Sequence, residues 1–193
     1  MKHRNVLFTA LAIPVLAWSA VAILQDEKKP PMPDMGEMPQ PGPHNEALQT
    51  LAGTWDADVE AVIPGMPPTP WKAVETVTKM GGFWVISDVK GEFMGMPFHG
   101  HGMHGYDSNK KKHVSVWADA FGDWMMTGEG TCEGSCKKLT MVMKGLDMMT
   151  GKEADYREVI ELVDANTRRW EMYGPGPDGG EMLMMKGTFK RKK

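Results

Sequence analysis

The sequence lacks most features by which a catalytic or nucleic-acid-binding chain is recognised. It has no basic excess: 22 Lys and Arg face 25 Asp and Glu, for a net charge of −3. That balance gives no electrostatic case for a polyanion, since nucleic-acid sites need concentrated positive charge. It also argues against peripheral attachment to anionic lipid. No Ser-His-Asp order, H-E-x-x-H, phosphate loop or dinucleotide fingerprint occurs, and Gly151-Lys152-Glu153 lacks the preceding glycine of a phosphate loop. Histidine stops at His113, and cysteine is limited to Cys132 and Cys136. Beyond Leu51 no stretch carries helical periodicity, which excludes a helical bundle or a βαβ fold.

What is present begins with an export signal. Lys2, His3 and Arg4 precede an apolar run from Val6 to Trp18, and Ser19-Ala20-Val21-Ala22 supplies the small residues of a cleavage site. Residues 1–22 are read as a signal peptide and the protein as exported, periplasmic or extracellular. The alternative is an uncleaved anchor, because Val6 to Leu24 approaches bilayer length. Cleavage removes Lys2 and Arg4, takes the net charge to −5 and leaves no membrane attachment. No Cys follows the run to carry a lipid. Residues 23–43 hold six of the fourteen prolines plus Met32, Met35 and Met38, and read as an extended linker.

The remaining domain, 44–193, changes pattern. His44 to Leu51 has short helical character with Asn45 as its N-cap. Then Trp55, Ala57, Val59, Ala61 and Ile63 alternate with more polar residues, a half-buried strand. Further strands are expected near 71–80, 83–93, 97–106, 112–119, 123–132, 136–146, 154–164, 167–173 and 181–190. Gly, Asp and Asn turn residues separate them. About ten strands with short connections form an antiparallel meander, which removes its exposed edges best by closing into a barrel. The predicted fold class is therefore all-β, a lipocalin-like antiparallel barrel with a short N-terminal helix.

Particular residues carry a resemblance. Leu51-Ala52-Gly53-Thr54-Trp55, Gly81-Gly82-Phe83-Trp84, Gly105-Tyr106-Asp107 and Trp117-Ala118-Asp119 make residues 44–190 resemble the bacterial family catalogued as domain of unknown function 1579, usually taken to be a lipocalin-like barrel. A helix followed by Gly53-x-Trp55 is also similar to the start of calycin barrels. There the Trp closes one end and stacks on a basic residue of the last strand, here Lys190 or Arg191. Calycins include fatty-acid carriers and haem-binding nitrobindins. The haem-ligating His of the latter lies late in the chain, where this sequence has none.

Four constellations could carry chemistry. His99, His101 and Met103 share one strand face, a set that suits copper, with His113 or Asp119 as a further ligand from the next strand. The competing reading is solvated histidines on a half-exposed strand. Nineteen methionines either line an adaptable lumen or replace leucine in the core. Cys132 and Cys136 flank the turn Glu133-Gly134-Ser135, and export favours a disulfide over a free dithiol or a metal pair. Tyr106, Asp107, Asp119, Asp123, Arg157 and Glu158 could converge at a barrel mouth as acid and base. Asp107 is otherwise a turn cap, and Trp117 with Asp119 is either a ligand wall with a polar anchor or a packed Trp beside a turn-stabilising carboxylate. The leading expectation is a non-enzymatic binder holding a small lipophilic molecule against Trp55, Trp84, Trp117, Trp170 and Tyr106, with no cofactor. Copper or haem handling through His99, His101 and Met103 is the alternative, and a barrel-mouth enzyme the third.

Overall fold

The computed structural model describes residues 38–193; the expected signal peptide and most of the linker lie outside the described residues. Helix α1 (Pro43–Gln49) precedes ten strands: β1 (Gly53–Ala61), β2 (Thr69–Met80), β3 (Trp84–Phe93), β4 (Met96–Asp107), β5 (Lys112–Asp119), β6 (Met126–Glu133), β7 (Lys138–Asp147), β8 (Lys152–Asp164), β9 (Thr167–Pro175) and β10 (Glu181–Arg191). Every strand pairs antiparallel with its neighbours in sequence, and β1 pairs with β10, so the sheet closes. The barrel predicted from two-residue periodicity is the fold.

Two details of α1 differ from expectation. Its N-cap is Gly42 rather than Asn45, which stands at the third helical position. The Asn45 side chain accepts from the Gly42 N–H at 3.0 Å and donates to the Phe83 carbonyl at 3.2 Å, so it fixes the helix to the β2–β3 turn.

Alternation sorts the side chains as it must in a closed sheet. Trp55, Ala57, Val59, Ala73, Val77, Val85, Val89 and Phe189 point inward and form one core cluster with Leu48 of α1. Leu139, Met141, Met143 and Tyr156 form a second on the other wall, so methionine does serve as core here. Eight ladder positions facing inward are glycine: 91, 100, 102, 128, 130, 145, 174 and 187. At most of them a large side chain from a neighbouring strand lies flat over the bare backbone. The Trp117 ring covers Gly100 and Gly102, Met143 covers Gly128, and Met126 covers Gly145. Without these glycines the inward rings and thioethers could not fit inside the wall.

The seam is secured at one end by Arg191. Its guanidinium stacks 4.1 Å above the Trp55 ring. It donates from Nη1 to the Ala52 carbonyl at 2.6 Å, from Nη2 to Thr50 at 2.8 Å and from Nε to Ala165 at 3.0 Å. One side chain thus joins the first strand, the helix exit and the β8–β9 turn. Trp55, fully buried, donates its indole N–H to the Leu51 carbonyl at 2.9 Å.

Arg191→Ala should lower unfolding free energy by about 2 kcal/mol, because it removes charged hydrogen bonds and a cation–ring stack together. Lys190→Ala, in the same seam but with its side chain on the exposed outer face opposite Asp56, should change it by less than about 0.5 kcal/mol in the same urea titration. Equal effects of the two would contradict this role. A methyl at Gly130 would press into the Thr140 carbonyl oxygen and the Met141 backbone, which cannot rotate away. Gly130→Ala should therefore cost about 1–3 kcal/mol, read as a lower melting temperature.

Candidate functional site

In a meander with one helix at its start, the β2–β3, β4–β5, β6–β7 and β8–β9 turns share the helix end. The β1–β2, β3–β4, β5–β6, β7–β8 and β9–β10 loops share the other. That other end is apolar. Met66, Met94, Met96, Phe121, Met125, Met148 and Met149 all belong to these loops or their borders, and each is exposed. Behind them Trp71, Phe93, Phe98 and Phe121 pack edge to face or tilted, with centroids 5.2–6.2 Å apart, across the barrel mouth.

Inside, the lumen is not uniformly apolar. Glu75 on β2 and Arg168 on β9 meet across the barrel as a buried ion pair. Ser87 Oγ donates to the other Glu75 oxygen at 2.5 Å. The Arg168 guanidinium lies 4.2 Å from the Phe189 ring centroid. Pairing and hydrogen bonding are what make two buried charges tolerable. Further along, Glu158 on β8 accepts from the Trp170 indole N–H at 2.7 Å. Burial pushes the Glu158 carboxyl pKa up, opposed by that hydrogen bond and by Arg168.

Glu158 and its neighbours differ from the packed clusters in one respect. Ser115, Trp117, Glu158, Ile160, Trp170 and Met172 point into the barrel by register, yet each is only half-buried. Trp117 and Trp170 pack against the first core cluster and Ile160 and Met172 against the second, so the strip runs between the two clusters and keeps some accessible surface. This strip, between Trp117 on one side and Trp170 on the other, is the candidate ligand site.

Of the residues expected in the lumen, Trp55 fills the helix end and has no free surface to offer. Trp117 and Trp170 border the strip, and Tyr106 sits at the helix end with its ring stacked on His44 at 4.1 Å. Trp84 does not face in. Val85 beside it is buried in the core, so Trp84 lies on the outer face, flat over Gly105. Reading Gly81-Gly82 as the end of β2 located the strand but not its phase.

His99, His101 and Met103 also lie outside, opposite the inward Gly100 and Gly102. His99 Nε2 is 2.8 Å and His101 Nδ1 3.5 Å from Asp88 Oδ2. Met103 stands between Ile86 and Val116, its cross-strand neighbours, rather than beside the carboxylate. Asp88 and the two imidazoles could hold a cation on an exposed surface. His99 and Lys90 hold the Asp88 pKa down at about 2.

The expected acid–base group does not assemble. Tyr106 pairs with His113 and Asp119 with Gly100, six residues earlier in β4, or about 20 Å away. Arg157 turns outward to Glu181 at 2.7 Å, whereas Glu158 turns in. Asp119 accepts from the Trp117 indole at 2.9 Å and from the Phe121 N–H at 2.9 Å, acting as both ring anchor and turn cap. Asp107 caps its turn through the Asn109 and Lys110 amides. Cys132 and Cys136 form a disulfide across the β6–β7 turn, with Cα atoms 4.8 Å apart.

Glu75 and Arg168 are lumen residues that sequence reasoning passed over, and Glu158 entered it only as a member of the barrel-mouth acid–base group. The signal existed. Glu75 falls in phase with Ala73 and Val77, and Glu158 with Tyr156 and Ile160, so an acid stands in an otherwise apolar row in each strand.

Known structures share this architecture at low identity. Rv2717c from M. tuberculosis superposes with a TM-score of 0.61 at 14% identity, covering 80% of this chain and 100% of that one. The S-type phycobiliprotein lyase CPES from Guillardia theta gives 0.54 at 13% identity, covering 77% and 92%. At such identity the likeness concerns the fold alone. No curated protein matches the chain. The family described as "Protein of unknown function (DUF1579)" matches over residues 40–191, most of the chain, and the protein belongs to that family.

Proposed function

We propose that this protein is an exported, non-enzymatic carrier that holds one small lipophilic molecule inside the barrel, with a polar end of the ligand at Glu158. The observation that supports this reading is the half-buried inward strip of Ser115, Trp117, Glu158, Ile160, Trp170 and Met172. Ligand sites are typically apolar, aromatic-lined and furnished with few polar groups. Trp170 occupies one carboxyl oxygen of Glu158 and leaves the other for a hydroxyl or carbonyl of the ligand. The exposed methionines around the mouth favour the same reading. Methionine adapts to varied apolar shapes, and a ring of it at one end gives a lipophilic molecule a surface to cross on its way in. The distant fold likeness to a phycobiliprotein lyase is compatible with this reading and does not specify the ligand.

The direct test is titration of the purified protein with a neutral lipophilic dye such as Nile red. Binding should saturate at one dye per chain and quench tryptophan fluorescence. Ser115→Phe, which fills the strip, should weaken binding at least about tenfold, equivalent to about 1.4 kcal/mol. His99→Ala on the outer face should leave it unchanged. Equal dye binding by wild type and Ser115→Phe, with cooperative unfolding of both, contradicts the assignment.

Glu158 adds a pH signature. Its folded pKa lies above the ordinary Glu value of 4.5. Below that value both folded and unfolded carboxyls are protonated and the site costs nothing. Above it the unfolded carboxyl ionises first, so stability is lost as pH rises through the folded pKa. Glu158→Gln should therefore be more stable than wild type at neutral pH. That advantage should vanish in denaturant titrations below about pH 4. A variant less stable than wild type at neutral pH would contradict the sign.

A further inference from the structure

We propose that reduced Cys132 and Cys136, together with His44 and His113, form a tetrahedral site for a zinc-class divalent cation that disulfide formation abolishes. The four residues come from separate elements: His44 from α1, His113 from β5, Cys132 from β6 and Cys136 from the β6–β7 turn. Their ligand atoms all lie within 4.8 Å of one another. His44 Nδ1 is 3.3 Å from each sulphur, and His113 Nε2 is 3.9 Å from the Cys136 sulphur. Around a tetrahedral zinc ion, with Zn–S near 2.3 Å and Zn–N near 2.0–2.1 Å, adjacent N and S ligands stand about 3.5 Å apart. The three nitrogen–sulphur distances bracket that value. The largest change required is in the sulphur–sulphur distance, which opens to about 3.8 Å when the bond is cleaved.

The surroundings fit a centre rather than an accidental meeting. His44 Nδ1 stands equally near both sulphurs, as one ligand of a shared centre would. His113 is 1% exposed and its Nδ1 has no partner, so its remaining nitrogen reaches only sulphur. The Tyr106 ring, 6° from parallel, holds the His44 plane. Cys136 has φ of 58°, a left-handed conformation uncommon for a residue with a side chain. A cavity of about 30 Å³, lined by His113, both cysteines and Leu139, lies beside the sulphurs and gives them room to separate.

The chemistry balances simply. A dithiol gives the disulfide two electrons and two protons and is itself oxidised to a disulfide; a phosphine gives two electrons and leaves as its oxide, water supplying the oxygen and the two protons; either route yields two thiols. Binding of the cation then displaces two protons as both sulphurs become thiolates. Two thiolates and two imidazoles form a set that zinc favours over magnesium or calcium.

The test compares the oxidised and phosphine-reduced full-length protein under titration with Co²⁺, followed by Zn²⁺. The reduced protein should take up one Co²⁺ with a thiolate-to-cobalt charge-transfer band that Zn²⁺ abolishes, and the oxidised protein should show no such band. His44→Ala, whose change lies at the helix outside the barrel wall, should weaken Co²⁺ binding at least about tenfold. His99→Ala, which alters the surface Asp88 cluster, should leave it unchanged. The proposal is overturned by a reduced protein without the band, by an equal band in the oxidised protein, by undiminished affinity in His44→Ala, or by loss of binding in His99→Ala.

Discussion

The pairing of β1 with β10 is the interaction on which the rest depends. It runs from Trp55 opposite Arg191 to Ala61 opposite Met185. It joins segments separated by most of the domain, so it carries the largest loop-closure entropy of any ladder in the sheet. Closure removes both sheet edges at once and turns one face of every strand into interior. Arg191 then ties that seam to the helix exit and to the β8–β9 turn through three carbonyls. Without closure there is no lumen, and Glu75, Arg168 and Glu158 would have no reason to be sheltered.

The interior is divided by what can fill it. Toward the helix the space is taken by Trp55, Phe189, Val77, Val85 and the cover of Leu48. Toward the loops the inward glycines let Trp117, Met126 and Met143 lie against the wall, and accessible surface remains around Glu158 and Trp170. The two ends of the barrel thus carry different chemistry. The helix end gathers His44, His113 and the cysteine pair, and the loop end presents methionine and phenylalanine to solvent.

Much of this was legible in the chain because a closed antiparallel sheet writes a simple code. Alternation from Trp55 onward located the strands, and turn residues located the breaks. Gly53-x-Trp55 with a terminal basic residue foretold the stack, which Arg191 makes. Phase was harder. Trp84 and Val85 are both apolar, and nothing local states which points inward; the packing of Val85 into the core decides it. Convergence was harder still. Tyr106 and Asp119 lie on adjacent strands yet at opposite ends, because antiparallel pairing carries them apart. His44 and Cys132 are 88 residues apart and meet only once the helix folds over the barrel end. The histidines that stand out in the sequence, His99 and His101, alternate with glycines that needed the inside, and that need turned the imidazoles out.

The central proposal is that a ligand reaches the strip bordered by Trp117 and Trp170, while Trp84 lies on the outer face. Indole N–H resonances of the ¹⁵N-labelled protein, followed while a neutral lipophilic molecule is added, test it directly. The account predicts that the Trp117 and Trp170 signals move together and saturate, with Trp84 unmoved. Movement of Trp84 with Trp117 and Trp170 unchanged would contradict it.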